Sequence, residues 1–459
     1  VLIRLIRDAE IDGERRDVRV VDGRIAEIGR GLDGGPALDA RGGALLPGLH
    51  DHHLHLLALA AALDSVRCGP PEVTGPAALR AALAAATPRA GWVRGVGYHE
   101  SVAGPLDRHA LDAWCGGARV RVQHRSGALW CLSSAAVDAL GLDAGADAPG
   151  VERDGRGRAT GRLFGLDAWL RERLPPAPAP DLAPVARMLA ARGVTGATDA
   201  TPDNDAGALA RFAALPLRVV AMGPLGLATD GAHKIVLREH ALPDPDVLAE
   251  RVRRAHDEHR PVAIHCVTRT ELVLAAAALR AAGARADDRI EHGSVAPPEA
   301  VALLAALGVT VVTQPNFLLE RGDAYLAEVE PRDRPWLYRC RGLLEAGVAL
   351  GGGTDAPFGA PDPWRAMRAA VDRRSAAGAA LGEREALSPE RALALFTTAP
   401  EAPGGAPRRV VRGAPADLCL LARPWKQARD RLDASDVAAT IRRGAVLSAG
   451  EGATLPAES

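Results

Sequence analysis

His53-Leu54-His55 sets two imidazoles two residues apart, just beyond the apolar run Ala44-Leu45-Leu46-Pro47-Gly48-Leu49. Residues two apart on a strand share a face. Both rings can then aim at one point, while His50, His52 and Leu54 face the other way. An imidazole pair on one face at a strand end is half of a metal site. A chain with 13 histidines can form one such pair by accident, so the other strand ends decide the matter.

Those ends carry Lys234 in His-Lys-Ile-Val-Leu, His265 in Val-Ala-Ile-His-Cys, His292 in Arg-Ile-Glu-His-Gly, and Asp355 in Gly-Gly-Gly-Thr-Asp-Ala-Pro. Any one of them alone reads most simply as a satisfied core residue. Four imidazoles, a carboxylate and an amine at equivalent places answer no packing need, and together they specify a centre for one or two divalent ions, zinc being the expected metal. Lys234 is the most telling. Of 56 Lys plus Arg, only Lys234 and Lys426 are lysines, so a lysine kept on an apolar strand is not a generic surface cation. Burial beside metal cations favours the neutral amine, which can add carbon dioxide to become an anionic carbamate bridging two metals. The simpler alternative is a salt bridge to Glu239 or Asp230.

The elements that position these groups follow a pattern. From residue 194, short apolar strands (194–199, 217–222, 233–237, 261–265, 289–292, 310–313 and 349–354) alternate with helical stretches at 243–259, 270–282 and 298–307. With the strand before His53 they make eight, the number for a (β/α)8 TIM barrel, whose chemistry sits at the carboxyl ends of its strands. The connection between strands three and four is too short for a full helix. The one after strand one is far too long, and residues of about 60–190 read as an insertion with its own strands at 92–98 and 119–124. Both termini are strand-like, with a hairpin signal at Asp22-Gly23. Because isolated hairpins cannot bury a face, residues 1–46 and 404–459 are expected to form one small β domain, leaving 47–403 for the barrel.

The patterns Pro47-Gly-Leu-His-Asp-His-His-Leu-His, Ala263-Ile-His, Ile290-Glu-His-Gly and Gly353-Thr-Asp-Ala-Pro resemble the amidohydrolase superfamily of metal-dependent hydrolases. The long insertion, the strand-four lysine and Gln314-Pro-Asn316 are similar to the branch containing N-substituted formamide deformylases. The resemblance spans essentially the whole chain. It implies a barrel with a β-sandwich from both termini, His53 and His55 on one metal, and His265 and His292 on the other. Lys234 would bridge the two as a carboxylated lysine, and Asp355 would be both ligand and catalytic base. The chain departs from the branch at His50, His52 and Ala128, and in the short segment around strand four, so branch membership says little about substrate.

The expected reaction is hydrolysis of a carbon–nitrogen bond in an amide, cyclic amide, or N-acyl or N-formyl small molecule, with Asp355 taking a proton from water and returning it to the leaving nitrogen. One rival is deamination of an amino-heterocycle on a single metal, which normally places a Glu three residues after the strand-five histidine. Here that residue is Thr268, with Glu271 on a helix start. A rival of another class is a small-molecule-binding barrel without turnover. Tyr98, Gln314, Asn316 and Trp364 are the candidate substrate contacts, His99 and His124 are further imidazoles in the insertion, and 317–325 reads as loop and part of a lid after strand seven. Cys266 points away from His265 and reads as a small buried residue.

Composition fits a small-molecule enzyme. With 47% hydrophobic and 25% charged residues and a net charge of −1, nothing points to nucleic acid or a membrane surface. Cysteines 68, 115, 131, 266, 340 and 419 lack paired spacing, as expected for reduced thiols in the cytoplasm. The first residues lack a signal-peptide core. A homodimer is the expected assembly.

Overall fold

The computed structural model describes residues 1–34, 37–144, 148–176 and 179–450. By contact density the chain forms two units, Val1–Leu56 with Leu182–Ser459, and Leu57–Asp181.

The first unit carries eight parallel strands: β1 (Leu49–Leu54), β2 (Val194–Asp199), β3 (Arg218–Ala221), β4 (His233–Val236), β5 (Val262–Cys266), β6 (Arg289–His292), β7 (Thr310–Thr313) and β8 (Ala349–Gly352). They pair in two sheets, ordered β3-β2-β1 and β4-β5-β6-β7-β8. A parallel bridge between Gly223 and His233 adjoins β3 and β4, and the Asp355 N–H just beyond β8 donates to His53 O of β1 at 2.7 Å. This order, with helices between most strands, is consistent with a TIM barrel. Strands β1, β2, β6 and β7 are buried along their whole length, although β1 (Leu-His-Asp-His-His-Leu) and β6 (Arg-Ile-Glu-His) carry mostly polar side chains.

The helices start where side chains can satisfy their first N–H groups. Asp244 caps Pro245–Asp257. Thr268 and Glu271 form a reciprocal capping box on Arg269–Ala282, which ends at Gly283 with φ +83°. No helix lies between β3 and β4, as the short spacing requires. The segment read as a lid departs from expectation. Residues Asn316–Glu328 form a helix, with Phe317 and Leu318 buried, because these apolar residues have a core to enter that sequence alone does not display.

Terminal strands form two four-stranded sheets. One holds Leu5–Ile11, Glu14–Val21, Arg24–Gly29 and Ala37–Asp39, and the other Leu45–Pro47, Leu418–Leu421, Val437–Arg442 and Ala445–Ala449. Ile3, Ile6, Val18 and Ile25 share one apolar cluster with Leu418, Leu420 and Ile441, so residues from both ends of the chain fill one core. Asp22 and Gly23 take φ of +50° and +72°, the left-handed pair that a tight hairpin demands.

The second unit is built on a six-stranded sheet ordered Val151–Arg153, Ala159–Phe164, Leu129–Leu132, Arg119–His124, Trp92–Tyr98 and Val66–Arg67. All six cysteines are free thiols. Among the described residues no helix is long and apolar enough to cross a membrane.

Candidate metal centre

Five of the six residues singled out by sequence lie at or near the carboxyl ends of β1, β5 and β6 or just beyond β1 and β8, whereas Lys234 is the second residue of β4, opposite Ala263 rather than His265. The donor atoms of His53, His55 and Asp355 all fall within 4.8 Å of one another. Asp355 Oδ1 is 3.4 Å from His53 Nε2 and 3.3 Å from His55 Nε2. The His292 ring lies 4.8 Å from that of His53, and the His265 ring 4.4 Å from that of His292. Lys234 is buried on β4, and among the described residues its Nζ has no hydrogen-bond partner.

Backbone chemistry holds the two ends of this arrangement together. Asp51, fully buried on β1, accepts the Thr354 hydroxyl at 2.5 Å and the N–H groups of Thr354 at 3.0 Å and His53 at 3.2 Å. The preceding Gly353 must be glycine: a Cβ there would lie 2.6 Å from His53 Cβ and 2.8 Å from its backbone nitrogen. Gly353→Ala is therefore expected to destabilise the protein by about 1–3 kcal/mol and to lower its metal content. Urea unfolding with metal analysis checks this, and unchanged values in both would show that the approach of β1 to the Asp355 turn is not close. His292 and Asp355 themselves adopt φ of +69° and +56°, sparsely populated for side-chain-bearing residues and a recurrent mark of functional sites.

Each of three rings is tethered at Nδ1. His53 meets a Glu291 carboxylate oxygen, His55 lies 3.0 Å from the Thr201 hydroxyl, and His292 donates to Gln314 Oε1 at 2.7 Å. Nε2 is the nitrogen each ring has left for an ion, and at His53 and His55 it faces Asp355 Oδ1. Electrostatics follow from burial. Burial and the His53 charge push His292 down to about 3, and burial with the His292 and Lys234 charges puts His265 well below the usual imidazole range. Burial lowers Lys234 against the pull of Glu291. Burial would raise Asp355, but hydrogen bonds from His53 and His55 outweigh it and keep the carboxylate ionised. His53 moves the other way: burial and Lys234 oppose its charge, yet Glu291 and Asp355 prevail and raise it.

All four candidate substrate contacts have internal partners. Gln314 is fully buried and orients His292. Asn316, also fully buried, donates to Thr354 O at 3.1 Å. Trp364 is packed in the core and donates to Arg192 O at 2.9 Å. Tyr98 is buried in the apolar cluster of the second unit, its hydroxyl bonded to Gly104 O. His99, Glu100 and His124 gather in the second unit, with His124 Nε2 3.0 Å from Glu100. Each of these rings accepts a backbone N–H at Nδ1, from Ser101 and Ser126 respectively.

Glu291 and Asp51 escaped the sequence reading. Their signal is an acid inside a buried apolar strand, in Arg289-Ile-Glu-His292 and His50-Asp-His52, where a charge survives only with partners. Cys266 is buried as expected.

The amidohydrolase family profile matches residues 37–448, and the chain belongs to that family of enzymes acting on carbon–nitrogen bonds. It is 27% identical over 464 residues to the N-substituted formamide deformylase of Arthrobacter pascens, covering 83% of this chain and 85% of that one. Its fold is similar to an uncharacterized metal-dependent hydrolase from Pyrococcus horikoshii (TM-score 0.71, 19% identity, 91% of this chain and 97% of that chain). It is also similar to the 5-methylcytosine deaminase from Klebsiella pneumoniae (TM-score 0.54, 16% identity, 97% and 98%).

Proposed function

We propose that this enzyme hydrolyses an amide, cyclic amide, or N-acyl or N-formyl bond of a small molecule, using divalent metal, most simply zinc. The observation that carries the reading is the convergence of His53 and His55 Nε2 on Asp355 Oδ1 beside a buried Lys234 amine that has no hydrogen-bond partner among the described residues. This donor set fits metal: four imidazoles, of which burial holds His265 and His292 neutral, an ionised carboxylate, and an amine that burial holds towards its neutral, carboxylatable form. His53 and His55 would hold one ion and His265 and His292 the other, with carboxylated Lys234 between them. An ion there supplies an acidified water and polarisation of the scissile carbonyl. Asp355, ionised and within reach of both rings, accepts a proton and delivers it to the leaving nitrogen.

The reading takes the eight parallel strands as a closed barrel over 47–403 and the two terminal sheets as a β-sandwich of 1–46 with 404–459. Six free thiols accord with a cytoplasmic setting. Deamination is disfavoured by Glu271, whose carboxylate is engaged by the Val267 and Thr268 N–H groups at 2.7 and 3.0 Å.

Metal analysis with a panel of amides, N-formyl amines first, tests the reading. Dialysis against a chelator is expected to abolish turnover and lower the melting temperature, with zinc restoring both. Zinc at a hundred times its Kd stabilises by about 2.7 kcal/mol. Full turnover by ion-free protein would refute the proposal.

A further inference from the structure

The three Nδ1 tethers are not equivalent. Thr201 and Gln314 offer neutral oxygens to His55 and His292, whereas Glu291 offers His53 a fully buried carboxylate. Its other oxygen is held by Arg289 Nε, and Arg289 Nη2 donates to His52 O at 2.7 Å. Glu291 thus sits on β6 beside His265 in register, clamped on one side by a guanidinium and on the other by His53. An arginine–glutamate pair alone would satisfy both charges. The additional reach to His53 is what requires explanation.

We propose that Glu291 is a positioning residue: it holds His53 with its proton on Nδ1 and Nε2 turned to the ion, and its charge makes His53 a stronger donor than the neutrally tethered rings. Arg289 keeps the carboxylate from turning away. A ring hydrogen-bonded at one nitrogen presents the other in a fixed direction, and an anionic partner raises the basicity of that second nitrogen. Thr201 and Gln314 fix direction without adding charge. The ion position of His53, His55 and Asp355 is therefore the one most sensitive to its outer layer. This inference rests on the metal-hydrolase reading.

The test compares zinc dissociation constants, measured by chelator competition, for the wild-type chain, Glu291→Gln and Thr201→Val. Cobalt(II) absorption spectra of each provide a readout of ligand geometry. Glu291→Gln is expected to weaken zinc binding 10- to 100-fold and to shift the cobalt spectrum, and Thr201→Val to weaken it no more than about threefold. Equal effects of the two variants, or Glu291→Gln within threefold of wild type, overturn this proposal while leaving the hydrolase reading intact. A wild-type chain that binds no divalent ion overturns both. If Glu291→Gln fails to fold, proton–nitrogen correlation spectra of histidine-labelled, zinc-loaded wild-type protein decide: a His53 ring protonated at Nδ1 supports the assignment, and a bare Nδ1 refutes it.

Discussion

Asp355→Asn is expected to lower kcat by at least about 10³-fold, the upper range for loss of a positioned acid–base group, while the protein folds and keeps at least one ion. Two features make the effect large. The carboxylate lies 3.4 and 3.3 Å from the His53 and His55 Nε2 atoms, and in the ion-free protein their hydrogen bonds hold it ionised despite burial. Asparagine keeps the shape and one oxygen but cannot accept and return a proton. Steady-state rates on the best amide, with metal content measured on the same preparation, check this. Activity within tenfold of wild type would remove Asp355 from the chemistry.

Lys234→Met separates function from stability. Burial opposes the charged form of Lys234, and no hydrogen bond to Nζ compensates among the described residues. Methionine of similar length is thus expected to leave the metal-free protein as stable as wild type or more so. Because the folded-state pKa of Lys234 lies below its unfolded value, the unfolded chain binds the extra proton as pH falls below 10.5. The wild-type penalty therefore grows towards low pH, and the advantage of methionine grows with it. Activity should move oppositely, falling at least about 10²-fold with loss of an ion, since methionine cannot carry a carbamate. Urea unfolding across pH, ion counts, and the carbamate resonance of wild-type protein in ¹³C-bicarbonate provide the measurements. A fully active Lys234→Met protein would eliminate the bridging role.

The centre was more legible in the sequence than its surroundings, for a physical reason. His53, His265, His292 and Asp355 are polar residues at or just beyond the ends of apolar strands, and Lys234 stands out because arginine has taken nearly every other cationic place. Such departures from pattern are visible in one dimension. The strand and helix order was legible too, because periodicity and capping are local. What lay hidden depends on contacts between distant residues. Gln314 and Asn316 were legible only as candidate contacts, and their bonds to His292 and the Thr354 carbonyl emerge only from the packing. Glu291 was passed over because its partners, His53 and Arg289, become a clamp only once β1 and β6 come together. The segment at 317–325 has the mixed composition of a loop, yet Phe317 and Leu318 find a core and it winds into a helix.

The hydrogen bond from Asp355 N–H to His53 O has a temporal implication. His53 and Asp355 are separated by some 300 residues of chain, so at about 5–20 residues per second a ribosome needs roughly 15–60 s to deliver the second after the first. Through that interval the nascent chain exposes a histidine-rich strand whose partner has yet to be made. An ion site that needs both His53 and Asp355 is therefore complete only late in synthesis.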